Sequence, residues 1–351
     1  MNPRLDIAVH GAVAAKKLGL VSGQVEVTSD CYQMCRGCES WRDHRSGAYA
    51  GEWTFLQMHT LFSQIQMNFS HTFEHLSLTG GDPQKWSHLE EFLTWSRGQR
   101  RHWDLQISTA LTQDIQGLDL WRNEFQQVRV SLDAASPEVY RSIRGDRKTT
   151  PGAVLERCAE LRHSNLAFIT TVFPQNVDEM AAIYERVCDL QEDGVAVRKI
   201  SFLTALGPRV NATDEIWRKW DKQVAFIKNL QQHDGARVPT SFGEDSKETR
   251  AFVESGAMAG CPCRVGEMSF HLKADGGYYP CCLVGGEAIA TNQNFLIGKF
   301  PEASLLELWL AHTPERHYAE PDSPCLHICQ YKQVALNIAA ERAANSRLAM
   351  P

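Results

Sequence analysis

From residue 21 to about 205, short runs that alternate apolar with polar residues are each followed by a longer stretch whose apolar residues recur every three or four positions. The first pattern predicts strands at "GQVEVTS", "EHLSLTG", "WDLQIST", "QVRVSLD", "NLAFITTV" and "VRKISFL". The second predicts helices at "FLQMHTLFSQIQMNF", "LEEFLTWSRG", "DLWRNEF", "PGAVLERCAELRH" and "DEMAAIYERVCDL". Six such repeats imply a parallel sheet, open or curled into a barrel, and in both forms ligands gather at the carboxyl ends of the strands. Polar features fall there: Cys31, Cys35 and Cys38 after the first strand, "TGGDP" (Thr79 to Pro83) after the second, Ser108 and Thr109 ending the third, Ser131 and Asp133 ending the fourth.

Beyond residue 210 the pattern changes. A helical stretch, "TDEIWRKWDKQVAFIKNLQQ", leads into a polar linker, "HDGARVPTSFGEDSKE", and then into a Gly/Cys/His-rich segment with few long apolar periods. That segment is expected to depend on bound metal for its fold. The division that follows is an N-terminal extension (1–20), a core barrel (21–210), a helical linker (211–260), a cysteine-rich domain (261–335) and a tail (336–351).

Composition narrows the function. The chain is long enough, at 351 residues, to bury a core without disulfides, and its formal charge of -6 with no basic stripe argues against nucleic acid as the main partner. No run is long enough to span a membrane, and a cytoplasmic location is the expectation. Nine of the eleven cysteines cluster, which in a chain without a signal peptide reads as metal ligation. Cys158 and Cys188 sit in helical periods and are expected to be buried small residues. The spacing C-x3-C-x2-C at Cys31, Cys35 and Cys38 suits a [4Fe-4S] cluster, where three thiolates leave one iron open. Structural zinc takes four ligands, and the nearest addition, His44, reads as a solvated loop residue.

At these residues the chain resembles the radical S-adenosylmethionine (AdoMet) superfamily, whose signature stands here as "CYQMCRGC". The resemblance implies a partial (β/α)6 TIM-like barrel, AdoMet chelated on the open iron of a [4Fe-4S] cluster, and its cleavage to a 5'-deoxyadenosyl radical. Gly80, Gly81 and Asp82 resemble the family's GGEP element, which receives the AdoMet amino group; Asp82 replaces Glu and is one methylene shorter. "VRVSLDAASPEVYRSIRG" resembles the S-L-D-x(n)-Y-x-x-I-R-G element, which implies Ser131 on the ribose and Arg144 on the AdoMet carboxylate. Asp133 either serves AdoMet or the substrate, or caps the following helix.

In "CPCRVGEMSFHLKADGGYYPCC", the order Cys263, Gly276, Cys281 resembles the opening of the superfamily's SPASM and twitch domains, and "CLHIC" supplies Cys325 and Cys329. The shorter twitch version implies one auxiliary [4Fe-4S] cluster on Cys263, Cys281, Cys325 and Cys329. Spacing leaves Cys261 open as a replacement for Cys263, and Cys282 for Cys281. A zinc ribbon, with His271 and His327 as further ligands, is the competing reading.

The expected function is hydrogen abstraction from a small-molecule or peptide substrate, with a reductant such as flavodoxin or ferredoxin as electron donor. The first cluster cysteine lies at residue 31, which leaves no room ahead of it for a leader-binding module and favours a small molecule or a substrate delivered by a partner. Radical modification of a nucleotide or nucleic-acid base is a second reading, and a non-catalytic iron-sulfur or zinc scaffold a third. By alternation, Gln106, Thr170 and Ser201 are inward candidates for substrate contact, whereas "HLEEFLTWSRGQRRHW" reads as surface and packing.

Overall fold

The computed structural model describes residues 19–35, 38, 50–146, 148–204, 213–233, 238–242, 265–281 and 295–312. Strands β1 (Ser22–Thr28), β2 (His75–Gly80), β3 (Asp104–Thr109), β4 (Gln127–Ser131), β5 (Leu166–Val172) and β6 (Val197–Thr204) pair in sequence order, all parallel. Between them run α1 (Phe55–Asn68), α2 (Leu89–Ser96), α3 (Leu118–Glu124), α4 (Pro137–Arg144), α5 (Pro151–Leu161) and α6 (Met180–Glu192). This mixed α/β arrangement on a parallel sheet fits a partial TIM barrel.

Local chemistry explains the helices. In α1 the buried residues Met58, Leu61, Phe62 and Ile65 recur every three or four positions. Thr54 and Gln57 close its N-terminus as a capping box, satisfying two of the amides that a helix start leaves unpaired. Phe62 then packs on Trp95 and Trp103 at ring distances of 4.9 and 4.7 Å, so the tryptophans of residues 88–103 serve the core as expected. Cys158 and Cys188 are likewise buried on the inner sides of α5 and α6.

The sheet continues at both ends. Helix α7 (Asp214–His233) leads to β7 (Thr240–Phe242), which pairs parallel with β6. On the other side, after the short α8 (Val265–Met268), β8 (Ser269–Leu272) pairs parallel with β1, followed by antiparallel β9 (Gly277–Tyr279) and β10 (Gly298–Lys299). The described start of the cysteine-rich segment thus adds three strands to the barrel sheet. Its apolar residues enter the same core: Phe270 stacks on Phe73, and Trp309 of α9 (Leu305–Ala311) meets Phe69 edge-on at 5.4 Å. Apolar packing against the barrel contributes to holding the described part of this segment. No described helix is long and apolar enough to cross a membrane.

Candidate active site

The cysteine loop leaves β1 at Thr28, whose hydroxyl accepts a bond from Asp30 N at 3.1 Å. It is then clamped between the end of β2 and the C-terminal end of α4. On one side, Gly81 N donates to Thr28 O and Asp82 N to Asp30 O, both at 2.8 Å, and a Cβ on Gly81 would stand 2.0 Å from Asp30 O. On the other, Met34 N donates to Arg144 O at 3.0 Å, while Gly145 has φ +66° and would carry a Cβ 2.7 Å from Met34 O. The two glycine-bearing motifs lie where they do because backbone crosses backbone there.

Within the loop, Gln33 N donates to Cys31 Sγ at 3.4 Å and Cys38 N to Cys35 O at 3.2 Å. Cys31, Cys35 and Cys38 are all half-buried. Burial pushes the Cys31 thiol up to about 12; the Gln33 amide pulls it down, and the neighbouring Asp82, Cys35 and Cys38 charges add to the rise. Burial likewise raises Cys35, against the pull of Arg144. Thiols held up by burial in this way lose the penalty when a metal takes their protons. Among the described residues they are neighbours that do not yet converge into a group able to enclose an ion.

Asp82 is 1% exposed. Its Oδ1 accepts from Thr109 Oγ1 at 2.8 Å and from Gln84 N at 3.2 Å, while Oδ2 is buried with no partner. Burial pushes its pKa up to about 6, opposed by the bonds from Thr109 and Gln84 and by the Arg144 charge. An orphaned buried acceptor beside a cysteine loop is a seat for a cationic donor, and the AdoMet amino group is of that kind. The residues present therefore fit the cofactor that the motifs imply.

Arg144 Nη2 pairs with Asp133 Oδ2 at 2.6 Å; Nη1 donates to Gln33 Oε1 at 3.2 Å and lies 3.8 Å from Cys35 Sγ. Its Nε is buried without a partner. Asp133 Oδ1 accepts from Thr171 N at 2.7 Å, so this carboxylate is the counter-ion of Arg144. It does not cap the following helix: Ser136 is the N-cap of α4, its side chain accepting from Val139 N. Gln33 also donates from Nε2 to Tyr140 Oη at 3.0 Å. Gln33 did not stand out in the sequence, and Tyr140, the tyrosine of the S-L-D-x(n)-Y-x-x-I-R-G element, was given no role there; both lie inside the motifs that carry the resemblance.

The register of the strands exposes a further feature. One face of the sheet presents Val25, Val27, Leu76, Leu78, Leu105, Ile107, Val128 and Val130 to the helices. The other is polar along its depth. His271, Gln24, Ser77, Gln106 and Gln127 stand side by side in register. Toward the carboxyl ends come Glu26 beside Thr79, then Ser108, Arg129, Ala167 and Lys199. Ser131, Ile169, Ser201 and Ser241 follow. TIM-barrel interiors are ordinarily filled by branched aliphatics; this wall holds hydrogen-bonding groups instead. Gln106 and Ser201 lie on it as expected. Thr170 does not: it alternates with Ile169, is fully buried on the helical side and donates to Leu132 O at 2.6 Å.

Glu26 on this wall accepts from His271 Nε2 and Lys273 Nζ, both at 2.9 Å and both at Oε1. Burial raises its pKa, but the Lys273 charge, with the His271 interaction, wins and holds the carboxyl at about 2. His271 is thereby engaged inside the barrel. Of the predicted auxiliary ligands, Cys281 is half-buried just past β9, and Gly276 lies in the β8–β9 turn. Cys263, Cys325 and Cys329, like Cys261, Cys282, His44 and His327, lie outside the described residues.

Residues 25–187 match the model of the Radical SAM superfamily. No curated protein matches the chain. Among solved structures, SuiB of Streptococcus suis is similar with a TM-score of 0.64 and 12% identity, over 88% of this chain and 70% of that one. SuiB bound to the precursor peptide SuiA gives 0.66 and 11% over 93% and 75%. The AdoMet-bound native anSMEcpe gives 0.59 and 14% over 93% and 98%. At such identities these structures bear on the fold. The matched region covers the strand ends just described.

Proposed function

We propose that the chain is a radical SAM enzyme, with AdoMet and a [4Fe-4S] cluster as cofactors, that takes a hydrogen atom from a small-molecule or peptide substrate seated against the polar wall of its barrel. When bound, the cluster and AdoMet supply one electron and, from the cleaved sulfonium, a 5'-deoxyadenosyl radical able to attack an unactivated C–H bond. The protein's part is to hold and orient. Cys31, Cys35 and Cys38 hold the cluster in a loop that Gly81 and Gly145 clamp. The observation that carries the reading is the buried, unpartnered Oδ2 of Asp82, placed to receive the AdoMet amino group next to the backbone of Gly80 and Gly81. Ser131, at the end of β4, meets the ribose; Arg144 offers its unpartnered Nε to the carboxylate while Asp133 keeps it in place.

An auxiliary [4Fe-4S] cluster on Cys263, Cys281, Cys325 and Cys329 aids electron transfer or substrate binding, and a flavodoxin or ferredoxin supplies the electrons. Cys281 supports this reading, since it lies half-buried just past β9, the strand that follows β8 in the barrel sheet. The peptide-bound SuiB keeps peptides within the substrate class considered.

The test is anaerobic reconstitution with iron and sulfide, iron counting, and a 5'-deoxyadenosine assay with dithionite and AdoMet. Two clusters correspond to about eight irons per chain. Cys35→Ala is expected to abolish deoxyadenosine formation and to leave about four irons. Deoxyadenosine made by that variant at the wild-type rate would overturn the assignment.

A further inference from the structure

Besides Glu26 and Lys199, the polar wall carries an arginine that the proposed cofactor chemistry does not use. Arg129 projects from β4 on the barrel side, in register with Ser108 on β3 and Ala167 on β5, neither of which carries an acid. Its Nε donates to Gln127 Oε1 at 2.8 Å and its Nη2 to Gln106 Oε1. Both partners are neutral carbonyls, and among the described residues no carboxylate pairs with it. Glu26, the acid on the same face, has its Oε1 taken by Lys273 and His271. Burial lowers the pKa of the Arg129 guanidinium, with no acid opposing the shift.

A guanidinium partly desolvated without a counter-ion is costly, and a fold keeps such a group where something else supplies the negative charge. The two glutamines fix the plane of the fork, leaving its remaining N–H groups for a planar or tetrahedral oxyanion, which arginine takes in bidentate fashion. We propose that Arg129 binds an anionic oxygen group of the substrate, a carboxylate or a phosphate, inside the barrel. This rests on the reading that the barrel interior seats the substrate. It narrows the substrate class to anionic molecules, or to peptides offering an acidic side chain or terminus.

The reconstituted, AdoMet-loaded enzyme is melted in sodium chloride, sodium phosphate or sodium acetate at equal ionic strength, as wild type, R129M, R129Q and R129K. The wild type is expected to melt about 2 °C higher in saturating phosphate or acetate than in chloride. R129M and R129Q lose that excess and R129K keeps part of it; the pair of neutral variants guards against one that fails to fold. Phosphate and acetate separate the two sources of the anion. General salting-in or exclusion effects act on all variants alike. An equal excess in wild type and both neutral variants, or none with either anion, overturns the proposal. Wild-type deoxyadenosine formation is measured on the same preparation: its absence defeats the radical reading, whereas its presence beside an Arg129-independent anion effect defeats this inference alone.

Discussion

Replacing Asp82 by Asn should make the AdoMet-free protein more stable and AdoMet binding weaker, and the opposed signs are the test. Asp82 is buried, and its pKa is pushed from the ordinary 3.8 up to about 6. A carboxyl raised in the folded state contributes its full stability below the unfolded value and loses it as pH rises through the folded one. At pH 8 both states are ionised, and the difference amounts to about 3 kcal/mol of destabilisation. Asn keeps an oxygen for Thr109 and Gln84 and removes the buried charge, so most of that cost is recovered at pH 8 and none below about pH 4. At the ligand the account reverses. A charge-assisted hydrogen bond from the AdoMet amino group to Oδ2 contributes about 1.5–3 kcal/mol, so the AdoMet dissociation constant should rise about 10- to 150-fold. The assays are thermal unfolding across pH 3 to 8 without AdoMet, and equilibrium dialysis of AdoMet against the reconstituted enzyme. Unchanged affinity would remove Oδ2 from the cofactor site; lower stability at pH 8 would show that the carboxylate is satisfied in a way the geometry does not account for.

Two further outcomes follow from the same reasoning. Lys273→Met leaves the buried Glu26 carboxylate with His271 alone and should cost up to about 3–5 kcal/mol near pH 7, while E26Q with K273M together should cost far less, as read from denaturant titrations. Because the Glu26 pKa is held at about 2, below its ordinary 4.5, the contribution is present above pH 4.5 and is lost as pH falls toward 2. Gly145→Ala meets both a φ of +66° and a Cβ 2.7 Å from Met34 O. Its cost of at least about 1–2 kcal/mol falls on the cysteine loop, so iron bound per chain after reconstitution should drop with little change in far-UV circular dichroism.

Much of the site is local in sequence and was legible there. The three cysteines, "TGGDP" and "IRG" each sit at a strand or helix end that hydrophobic periodicity marks, and each contains a glycine or thiol whose chemistry is plain from its type. Periodicity of two also assigns Arg129, Ser131 and Asp133 to a common alternation. What it leaves open is which face turns inward. Thr170 shows the difference: one step of phase along β5 puts its hydroxyl under the helices and leaves Ile169 facing Ser131 and Ser201. Asp133 shows another. A carboxylate near a helix start suggests a cap, but Ser136 takes that place and Arg144, at the far end of the helix, takes the carboxylate.

The sequence by itself determined the order of elements, the strand-end positions and the kind of chemistry, because these depend on residue type, local spacing and the obligatory pairing of backbone groups. Tertiary structure decided which charges meet. Lys273 and Glu26 are 247 positions apart and come together only because β8 pairs with β1, joining the cysteine-rich segment to the barrel. Among the described residues Arg129 pairs with no acid, and Glu26, the acid on the same face three strands away, is held by Lys273 and His271. Burial and pairing belong to the folded arrangement of distant strands, and no local pattern encodes them.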